Sequence, residues 1–379
     1  MHFTLSEQQV LVQDMARQFS DAELAPHSSR WDEEKYLDRG VFTKAAELGF
    51  MGIYTGEEHG GTALPRLDSA LVFEQLARGD VSHTAMMTIH NMATWMIDRF
   101  GGDELRARFV PKLTAGEMIA SYCLTEPGAG SDAASISTKA IRDGGDYILN
   151  GSKSFISGAG WSDVYVIMAR TSDDGARGVS AFVVENGTAG LSFGANEKKM
   201  GWNAQPTAQV IFEDCRISEA NRIGAEGDGF KFAMAGLDGG RVNIGACSLG
   251  GAQKALDATL EYTKERKQFG KAIADFQNTQ FMLADMATEL EASRLMLYRA
   301  ADMVDNKAAN AGQFCAMAKR YATDACSKIA NDALQLHGGY GYLKDYPIEQ
   351  IVRDLRVHQI LEGTNQIMRV IISRGLLRQ

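Results

Sequence analysis

LADMATELEASRLMLYRAADMV, residues 283–304, is the stretch that decides the fold. Its apolar residues recur at helical spacing and keep to one face over about six turns. They are Leu283, Met286, Leu290, Leu297, Ala301 and Val304. A helix this long with one apolar face needs other long helices to cover that face. The stretch therefore predicts a helical bundle in this part of the chain.

Further helical stretches flank this one on both sides. We predict helices near residues 230–264, 309–336, 345–359 and 365–377. Long antiparallel helices joined by short links are typical of a four-helix bundle. We therefore assign residues 229–379 to a C-terminal four-helix bundle.

The first third of the chain is also helical in pattern. Ser6 and Gln9 form a capping box at the start of a first helix, which we expect to end near Pro26. Further helices are expected over residues 41–48, 67–78, 84–100 and 103–113. We assign residues 1–121 to an N-terminal helical domain.

The sequence pattern changes near Ser121, where short apolar runs begin to alternate with turn residues. Gly144-Gly145 and Asn150-Gly151 bracket Tyr147-Ile148-Leu149, a pattern typical of β-hairpins. Strand-like runs also occur at 134–138, 164–168, 179–184, 191–193 and 209–212. We assign residues 122–228 to a middle β domain, so the chain is a multidomain protein with α and β parts.

Charge and composition exclude several classes of protein. The 379 residues are 45% hydrophobic and 23% charged with a net charge of −9, which disfavours nucleic acid or anionic membrane as a partner. No apolar run approaches the ~20 residues of a membrane span. No Cys, His and carboxylate cluster has metal-ligand spacing, so no metal is expected. The five scattered cysteines indicate reduced thiols.

The first residues carry no cationic-then-apolar leader. We therefore expect a chain that is not secreted. The expected location is the cytoplasm, or the mitochondrial matrix if this is a processed eukaryotic chain.

Glu362 is the strongest candidate for chemistry. It lies on a short link between two predicted helices, and Gly363 lets the backbone turn behind it. Thr364 has the position of an N-cap for the last helix. A carboxylate held this way could remove a proton next to a carbonyl. The alternative is an exposed acid in a loop.

Two stretches of the middle domain are candidate cofactor sites. Gly128–Ala133 matches the GxGxxG/A pattern, but its context argues against a dinucleotide fold. The loop could instead offer backbone N–H groups and the hydroxyls of Thr125 and Ser131, or it could be a plain turn. Phe155 could lie against a flat aromatic ligand, or belong to a simple hairpin.

Three helical segments carry further candidates. Arg266 could bind a phosphate or be a surface cation near a helix end. Asp238 and Arg241, three residues apart, form either a site or a helix-surface pair. Gly338-Gly339 is either a helix C-cap or a phosphate-binding backbone.

Together these segments resemble the acyl-CoA dehydrogenase family over essentially the whole chain, and their order and spacing also fit. The matching segments are Tyr122–Asp132, Phe155–Ser157, Glu265–Gly270, His337–Gly341 and Leu361–Gln366. The resemblance implies an N-terminal helical domain, a middle β-barrel-like domain and a C-terminal four-helix bundle. It also implies a homotetramer, a dimer of dimers, in which FAD reaches a neighbouring subunit.

The resemblance further implies the site residues. Glu362 matches the base that takes the α-proton of an acyl-CoA. FAD contacts are implied for Tyr122, Leu124, Thr125, Gly130, Ser131, Phe155, Ile156, Ser157, Arg266, Gln268, Phe269, Phe276, Gln277, Gln335, Gly338, Gly339, Thr364 and Gln366. Acyl-CoA contacts are implied for Ser131, Asp238, Arg241, Gly363 and Arg374. Some relatives carry the base on a bundle helix, at the position that is Gly240 here.

The implied reaction is FAD-dependent α,β-dehydrogenation of an acyl-CoA, with the electrons leaving to an electron-transfer flavoprotein. The sequence is most similar to members that act on short branched acyl groups of the isobutyryl type. Straight short-chain or 2-methylbutyryl groups are the nearest alternatives. More distant alternatives are an acyl-CoA oxidase, a flavin monooxygenase or nitroalkane oxidase, and a helical scaffold that has lost its chemistry.

Overall fold

The computed structural model describes residues 4–377, which form eleven α-helices and ten β-strands. The helices before the sheet are α1 (Glu7–Phe19), α2 (Ser28–Glu34), α3 (Arg39–Glu47), α4 (Arg66–Gly79), α5 (Val81–Phe100) and α6 (Asp103–Thr114). The strands are β1 (Ala120–Cys123), β2 (Lys139–Asp143), β3 (Asp146–Ser157), β4 (Val164–Arg170), β5 (Val179–Glu185), β6 (Leu191–Phe193), β7 (Thr207–Ser218), β8 (Arg222–Ile223), β9 (Lys267–Gln268) and β10 (Lys271–Ala272). The remaining helices are α7 (Gly229–Glu265), α8 (Gln277–Asp305), α9 (Ala311–His337), α10 (Ile348–Arg356) and α11 (Asn365–Leu377).

The N-terminal helices form as predicted, with one addition. The capping box at α1 is present, because the Ser6 hydroxyl accepts from the Gln9 amide at 3.2 Å and the Gln9 side chain accepts from the Ser6 amide at 3.0 Å. A π-helical turn carries this helix on to Leu24, just before Pro26. The short helix α2 was not predicted. Helices α4 and α5 are buried along most of their length, so they form the middle of the molecule rather than its surface.

The middle domain is one eight-stranded sheet. Its strands run in the order β6-β7-β3-β2-β4-β5-β8, and β1 pairs in parallel with β4. Alternate residues of β4 point to opposite faces, as the two-residue period of a strand requires. Val164, Val166 and Met168 pack against α5, α6 and α7, whereas Tyr165, Ile167 and Ala169 join residues of β3 and β7 in a second core. The sheet therefore curls around an interior of its own.

Two local predictions in this domain are wrong. Asn150-Gly151 is not a turn but lies within β3, at a bulge in its pairing with β7. Gly151 has φ +141° and packs so close to Thr138 that a Cβ would lie 2.7 Å from its hydroxyl. The predicted strand at 134–138 is a 3₁₀ turn, Ala133–Ser135, followed by extended backbone. There the amides of Ser137 and Thr138 bond the Glu126 carboxylate instead of a neighbouring strand.

The C-terminal helices form the predicted bundle. Helices α7, α8 and α9 pack on one another, α11 packs on α9, and α7 also packs along α4 of the N-terminal part. At Gly250 the two helices approach so closely that a Cβ would lie 2.2 Å from the Glu74 carbonyl oxygen. The predicted helix at 345–359 is split into α10 and a 3₁₀ turn, Val357–Gln359. The domain limits 1–121, 122–228 and 229–379 stay predictions.

No helix within residues 4–377 is long and apolar enough to span a bilayer. The five cysteines, at positions 123, 215, 247, 315 and 326, are all buried and free.

Candidate active site

Glu362 lies in the link between the Val357–Gln359 turn and α11. Glu362 has φ +55° and Gly363 has φ +89°, so two successive residues adopt the left-handed conformation. That conformation is costly for a residue with a Cβ and persists only where the surroundings hold it. The Thr364 hydroxyl then accepts from the Ile367 amide at 3.2 Å, which confirms Thr364 as the N-cap of α11.

Glu362 is half-buried and its Oε2 atom is fully buried, so the alternative of an exposed loop acid is wrong. It packs against α7 at Gly240, where a Cβ would lie 2.5 Å from Oε2. Within residues 4–377 no donor bonds the buried Oε2 atom. Burial raises the pKa of Glu362 to about 7, although the charges of Arg241 and Lys319 lower it in part. A carboxylate with this pKa is a much better base than an exposed one.

Arg241 supports the link from α7. Its Nη1 donates to Asp238 Oδ1 at 2.5 Å, and its Nε lies 3.4 Å from the carbonyl oxygen of Glu362. The Arg241 side chain is only 8% exposed, so this is not the helix-surface pair that the spacing also allowed. Asp238 and Arg241 are therefore paired as the sequence predicted, and the structure brings Arg241 to the Glu362 link.

Lys319 supports the link from α9, and sequence reasoning did not identify it. Its buried Nζ donates to the Gly363 carbonyl oxygen at 2.8 Å and to Asn365 Oδ1 at 2.9 Å. Burial lowers the pKa of Lys319 to about 8, while the Glu362 charge opposes that shift. A single lysine in an alanine-rich helix carries little sequence signal, because most lysines in such helices are solvated.

Two half-buried tyrosines lie near the carboxylate. The Tyr122 hydroxyl, on β1, has no hydrogen-bond partner within the described chain. The Tyr54 hydroxyl accepts from Asn243 Nδ2 at 3.2 Å, and the Arg66 guanidinium lies 3.5 Å from the Tyr54 ring centroid. Burial raises the pKa of both phenols, and the Glu362 charge contributes in each case. Both rings therefore lie close enough to feel the Glu362 charge.

The first set of predicted cofactor contacts lies on β1, β3 and the loop after β1. We refer to these residues as the loop group: Tyr122, Leu124, Thr125, Gly130, Ser131, Phe155, Ile156 and Ser157. Phe155 has φ +59° and is 68% exposed, so an aromatic face is held out from the strand. Ile156 points into the sheet interior, and only its backbone is available to a ligand. The Ser157 hydroxyl accepts from Gln205 Nε2 at 3.0 Å.

A buried ion pair fixes the loop group. Lys153 Nζ donates to Glu126 Oε1 at 2.7 Å and to the Leu124 carbonyl oxygen at 3.2 Å, with both side chains almost fully buried. Burial raises the pKa of Glu126, but the Lys153 charge and the bonds from Ser137 and Thr138 lower it further, to about 2. The pair ties the loop to β3 on one side and to the segment before β2 on the other.

The second set of predicted contacts lines a hollow of about 360 Å³ at the end of α7 and α9. We refer to these residues as the hollow group: Arg266, Gln268, Gln335, Gly338 and Gly339. The Arg266 guanidinium lies 5.3 Å from the ring centroid of Tyr340, another lining residue. Phe269, which follows Gln268, is 94% exposed with φ +53° and lies beside Phe276. A cation, two amides and an open glycine backbone suit phosphate and adenine groups.

Three further predicted residues belong to neither group and are exposed. Gln277 and Gln366 are exposed at the first turns of α8 and α11. Arg374 is exposed on the last turn of α11, about 14 Å along the helix axis from Asn365. Any role for Arg374 therefore concerns a long ligand that extends away from Glu362.

The geometry can be compared with known proteins. Three acyl-CoA dehydrogenase family models match: the N-terminal domain at residues 6–117, the middle domain at 121–215 and the C-terminal domain at 227–377. The chain is 55% identical to mitochondrial isobutyryl-CoA dehydrogenase of Bos taurus, over 99% of this chain and 90% of the relative. It is also 55% identical to the corresponding protein of Dictyostelium discoideum, over 98% and 90%.

Solved structures agree with the sequence relatives. Butyryl-CoA dehydrogenase from Megasphaera elsdenii superimposes with a TM-score of 0.97 at 35% identity, over all of both chains. A structure described as the electron transferring flavoprotein of Acidaminococcus fermentans contains a chain with a TM-score of 0.98 at 42% identity, again over all of both chains. PigA with FAD and proline superimposes at 0.97 and 35%, over all of both chains. The chain thus belongs to the acyl-CoA dehydrogenase family and is an FAD-dependent oxidoreductase that acts on an acyl-CoA.

Proposed function

We propose that Glu362 is the base that removes the α-proton of a short branched acyl-CoA. One observation carries this proposal: the Glu362 Oε2 atom is buried against Gly240 and is free of any donor within residues 4–377. An unpaired, desolvated carboxylate is destabilised as an anion and gains by taking up a proton. Gly240 has no side chain, so no second carboxylate competes from that position of α7.

The reaction removes two hydrogens from the acyl chain. The α-carbon loses its proton to a Glu362 oxygen, the β-carbon loses a hydride, and a C=C bond forms between them to give the 2-enoyl-CoA. FAD, when bound, takes up the hydride and with it both electrons. The protein must hold the α C–H bond beside the carboxylate and exclude water, which would solvate and weaken the base.

The α-proton of a thioester is far too weak an acid for a carboxylate in water. Within residues 4–377 no acceptor bonds the Glu362 backbone amide. We infer that this N–H donates to the thioester oxygen and so stabilises the enolate character that develops as the proton leaves. The left-handed conformation of Glu362 and Gly363 holds that amide and the carboxylate in a fixed relation.

We propose that FAD is held by the loop group and the hollow group. The unpartnered Tyr122 hydroxyl and the exposed Phe155 ring fit a polar-edged aromatic ring system. The hollow group fits phosphate and adenine. Phe269, Phe276, Gln277, Thr364 and Gln366 complete the proposed set. We further propose that one subunit supplies the loop group and another the hollow group of each site, within a homotetramer.

We propose an acyl group of the isobutyryl type and an electron-transfer flavoprotein as the electron acceptor. Identity to the two isobutyryl-CoA dehydrogenases, 55%, exceeds the 42% identity to an acyl-CoA dehydrogenase of Bacillus subtilis. The Acidaminococcus structure supports the acceptor, because its description names an electron transferring flavoprotein. Ser131, Asp238, Arg241, Gly363 and Arg374 are the proposed acyl-CoA contacts.

Anaerobic titration of the purified flavoprotein tests the role of Glu362. Isobutyryl-CoA should bleach the flavin absorbance of the wild type, whereas Glu362→Gln should bind FAD and ligand but show no bleaching. The exposed Glu117→Gln is the matched control and should bleach like wild type. Normal bleaching by Glu362→Gln would place the base elsewhere.

Comparison across acyl-CoAs tests the substrate separately. Isobutyryl-CoA should bleach the flavin fastest, ahead of butyryl-CoA and 2-methylbutyryl-CoA. One methyl or methylene is worth about 1–3 kcal/mol in a hydrophobic pocket, so rate ratios of about tenfold or more are expected. If butyryl-CoA or a longer acyl-CoA were tenfold faster, the isobutyryl assignment would be wrong although the role of Glu362 would stand.

A further inference from the structure

Lys319 lies where a charged residue is costly. On α9 it shares a face with Cys315, Ala322 and Cys326, and all four side chains are fully buried. A buried ammonium must be hydrogen-bonded, or its loss of hydration destabilises the fold. Both acceptors of Lys319 belong to one short segment, the Gly363 carbonyl and the Asn365 side chain. The Lys319 ammonium is therefore bonded to Gly363 and Asn365, the residues on either side of Thr364.

The next turn of α9 holds the rest of this segment. Asp324 accepts from Gln359 Nε2 at 2.8 Å, before Glu362, and from Asn365 Nδ2 at 2.7 Å, after it. Asn365 Nδ2 also donates to Thr323 Oγ1 at 2.9 Å. The link that carries Glu362 is thus fastened to α9 at both ends, while the carboxylate itself is left free.

Two cations and two phenols lie around the Glu362 carboxylate. The groups that face Glu362 are Arg241 from α7, Lys319 from α9, and the phenols of Tyr54 and Tyr122. Asp238 neutralises part of Arg241, and Asp324 lies near Lys319. Within residues 4–377 neither cation forms a salt bridge with the Glu362 carboxylate. Both cations act on it from a distance and leave its oxygens open to a proton.

We propose that Lys319 is a positioning residue for the base, which holds the Glu362–Gly363 turn through the Gly363 carbonyl and places a positive charge beside it. This inference rests on the proposed role of Glu362. The charge should keep enough of the carboxylate ionised near neutral pH for catalysis. The hydrogen bond should keep the left-handed turn from relaxing away from Gly240.

Variants of Lys319 separate charge from shape. Lys319→Met removes both the donor and the charge, Lys319→Gln can still donate to the Gly363 carbonyl without a charge, and Lys319→Arg keeps the charge. Lys328→Met is the matched control, since Lys328 lies on the same helix with its side chain 72% exposed and pairs with the neighbouring Asp332. Each holoenzyme is assayed for FAD content, for melting temperature and for the rate of anaerobic flavin reduction against pH.

We expect the pH midpoint of flavin reduction to rise by about one unit in Lys319→Met and Lys319→Gln, because loss of a nearby cation raises the pKa of a carboxylate. The rate near pH 7 should fall about tenfold in Lys319→Met. Lys319→Arg and Lys328→Met should keep the wild-type midpoint. A merely structural lysine would change the melting temperature without moving the midpoint.

Two outcomes would overturn the proposal. One is a folded Lys319→Met or Lys319→Gln enzyme with wild-type rate and midpoint. The other is loss of FAD and fold in all three Lys319 variants, which would make Lys319 a residue required for folding only. If Glu362→Gln reduced its flavin normally, the proposed function would fail, and this result is distinct from either outcome for Lys319.

Discussion

The Glu362 carboxylate rests directly on the backbone of Gly240. A Cβ at Gly240 would lie 3.0 Å from the carboxyl carbon and 2.5 Å from Oε2, and the second distance is shorter than Cβ atoms show in proteins. Because α7 is a regular helix here, its amides are already bonded and offer the carboxylate no donor. The contact accounts for both the glycine at this position and the free oxygen.

Replacing Gly240 by alanine should displace the carboxylate. The added methyl group would push Glu362 away from α7, so the rate of anaerobic flavin reduction should fall about tenfold or more, given how steeply such misplacement lowers rates. FAD content should stay near wild type, because the three atoms nearest to a Cβ at Gly240 all belong to Glu362. Stopped-flow absorbance measures the rate.

Gly102→Ala is a suitable control, because a Cβ at Gly102 would meet nothing within 4 Å. It should leave the rate unchanged. Equal rates for Gly240→Ala and wild type would show that the carboxylate does not act from the position it occupies on Gly240.

Glu362 should also make stability depend on pH. Its pKa is about 7 in the folded protein and near 4.5 in the unfolded chain, so between these values only the folded state keeps the proton. The free energy of unfolding should therefore fall by about 3 kcal/mol as pH rises from 4.5 to 7, and then level off. Glu362→Gln, which cannot ionise, should be more stable than wild type at about pH 8 and equal to it near pH 4.5.

Urea unfolding of both proteins at several pH values, with FAD in excess, measures this difference. The exposed Glu117→Gln should show no such gain. A stability difference between Glu362→Gln and wild type that did not change with pH would contradict the raised pKa.

Lys153→Met should strongly destabilise the middle domain. Removing the ammonium leaves the Glu126 carboxylate buried without its countercharge, which costs about 3–5 kcal/mol for pairs of this kind. The loop group should then hold FAD less tightly, measured by flavin release on dilution. The double variant Lys153→Met with Glu126→Gln should recover part of the lost stability and FAD binding. Lys44→Met, at an exposed lysine, should lose neither stability nor FAD. A stable single variant would mean that water reaches the Glu126 carboxylate.

Arg266→Met should weaken FAD binding if the hollow holds its phosphates. A hydrogen bond to a charged group contributes about 1.5–3 kcal/mol, so the dissociation constant should rise about tenfold to a hundredfold. Arg177→Met serves as the control, since the Arg177 side chain is 85% exposed and pairs with the nearby Asp174. Unchanged FAD affinity, measured by titration of the apoprotein, would remove Arg266 from the proposed cofactor site.

Helical periodicity predicted most of the fold, because an apolar face that persists over several turns is seldom found outside a packed helix. The helix at 283–304 lies within α8, and the predicted ends of most helices fall within a few residues of the observed ones. The local turn signals did less well. Asn150-Gly151 has the composition of a turn, but pairing with β7 carries β3 through it. Tertiary contacts decided the outcome there.

At the candidate site, too, the sequence predicted the local structure but not the tertiary contacts. A carboxylate, a glycine and an N-cap in succession indicated a held turn at Glu362, and this is what the structure shows. Burial of the carboxylate could not be predicted, since it depends on Gly240 of α7 and on Lys319 of α9, both distant in sequence. A lysine flanked by alanines in a helix has the sequence pattern of a solvated face. Only the packing of α9 against the Glu362 link shows otherwise.

The five buried cysteines give the protein a set of internal reporters of local opening. Burial raises the pKa of Cys123, Cys215, Cys247, Cys315 and Cys326, so the native thiols stay protonated and sheltered from alkylating reagents. Two of them lie in the sheet and three in the bundle. The alkylation rate of each cysteine therefore measures how often the region around it opens. Mass spectrometry of the labelled peptides can follow the sheet and the bundle separately without any added probe.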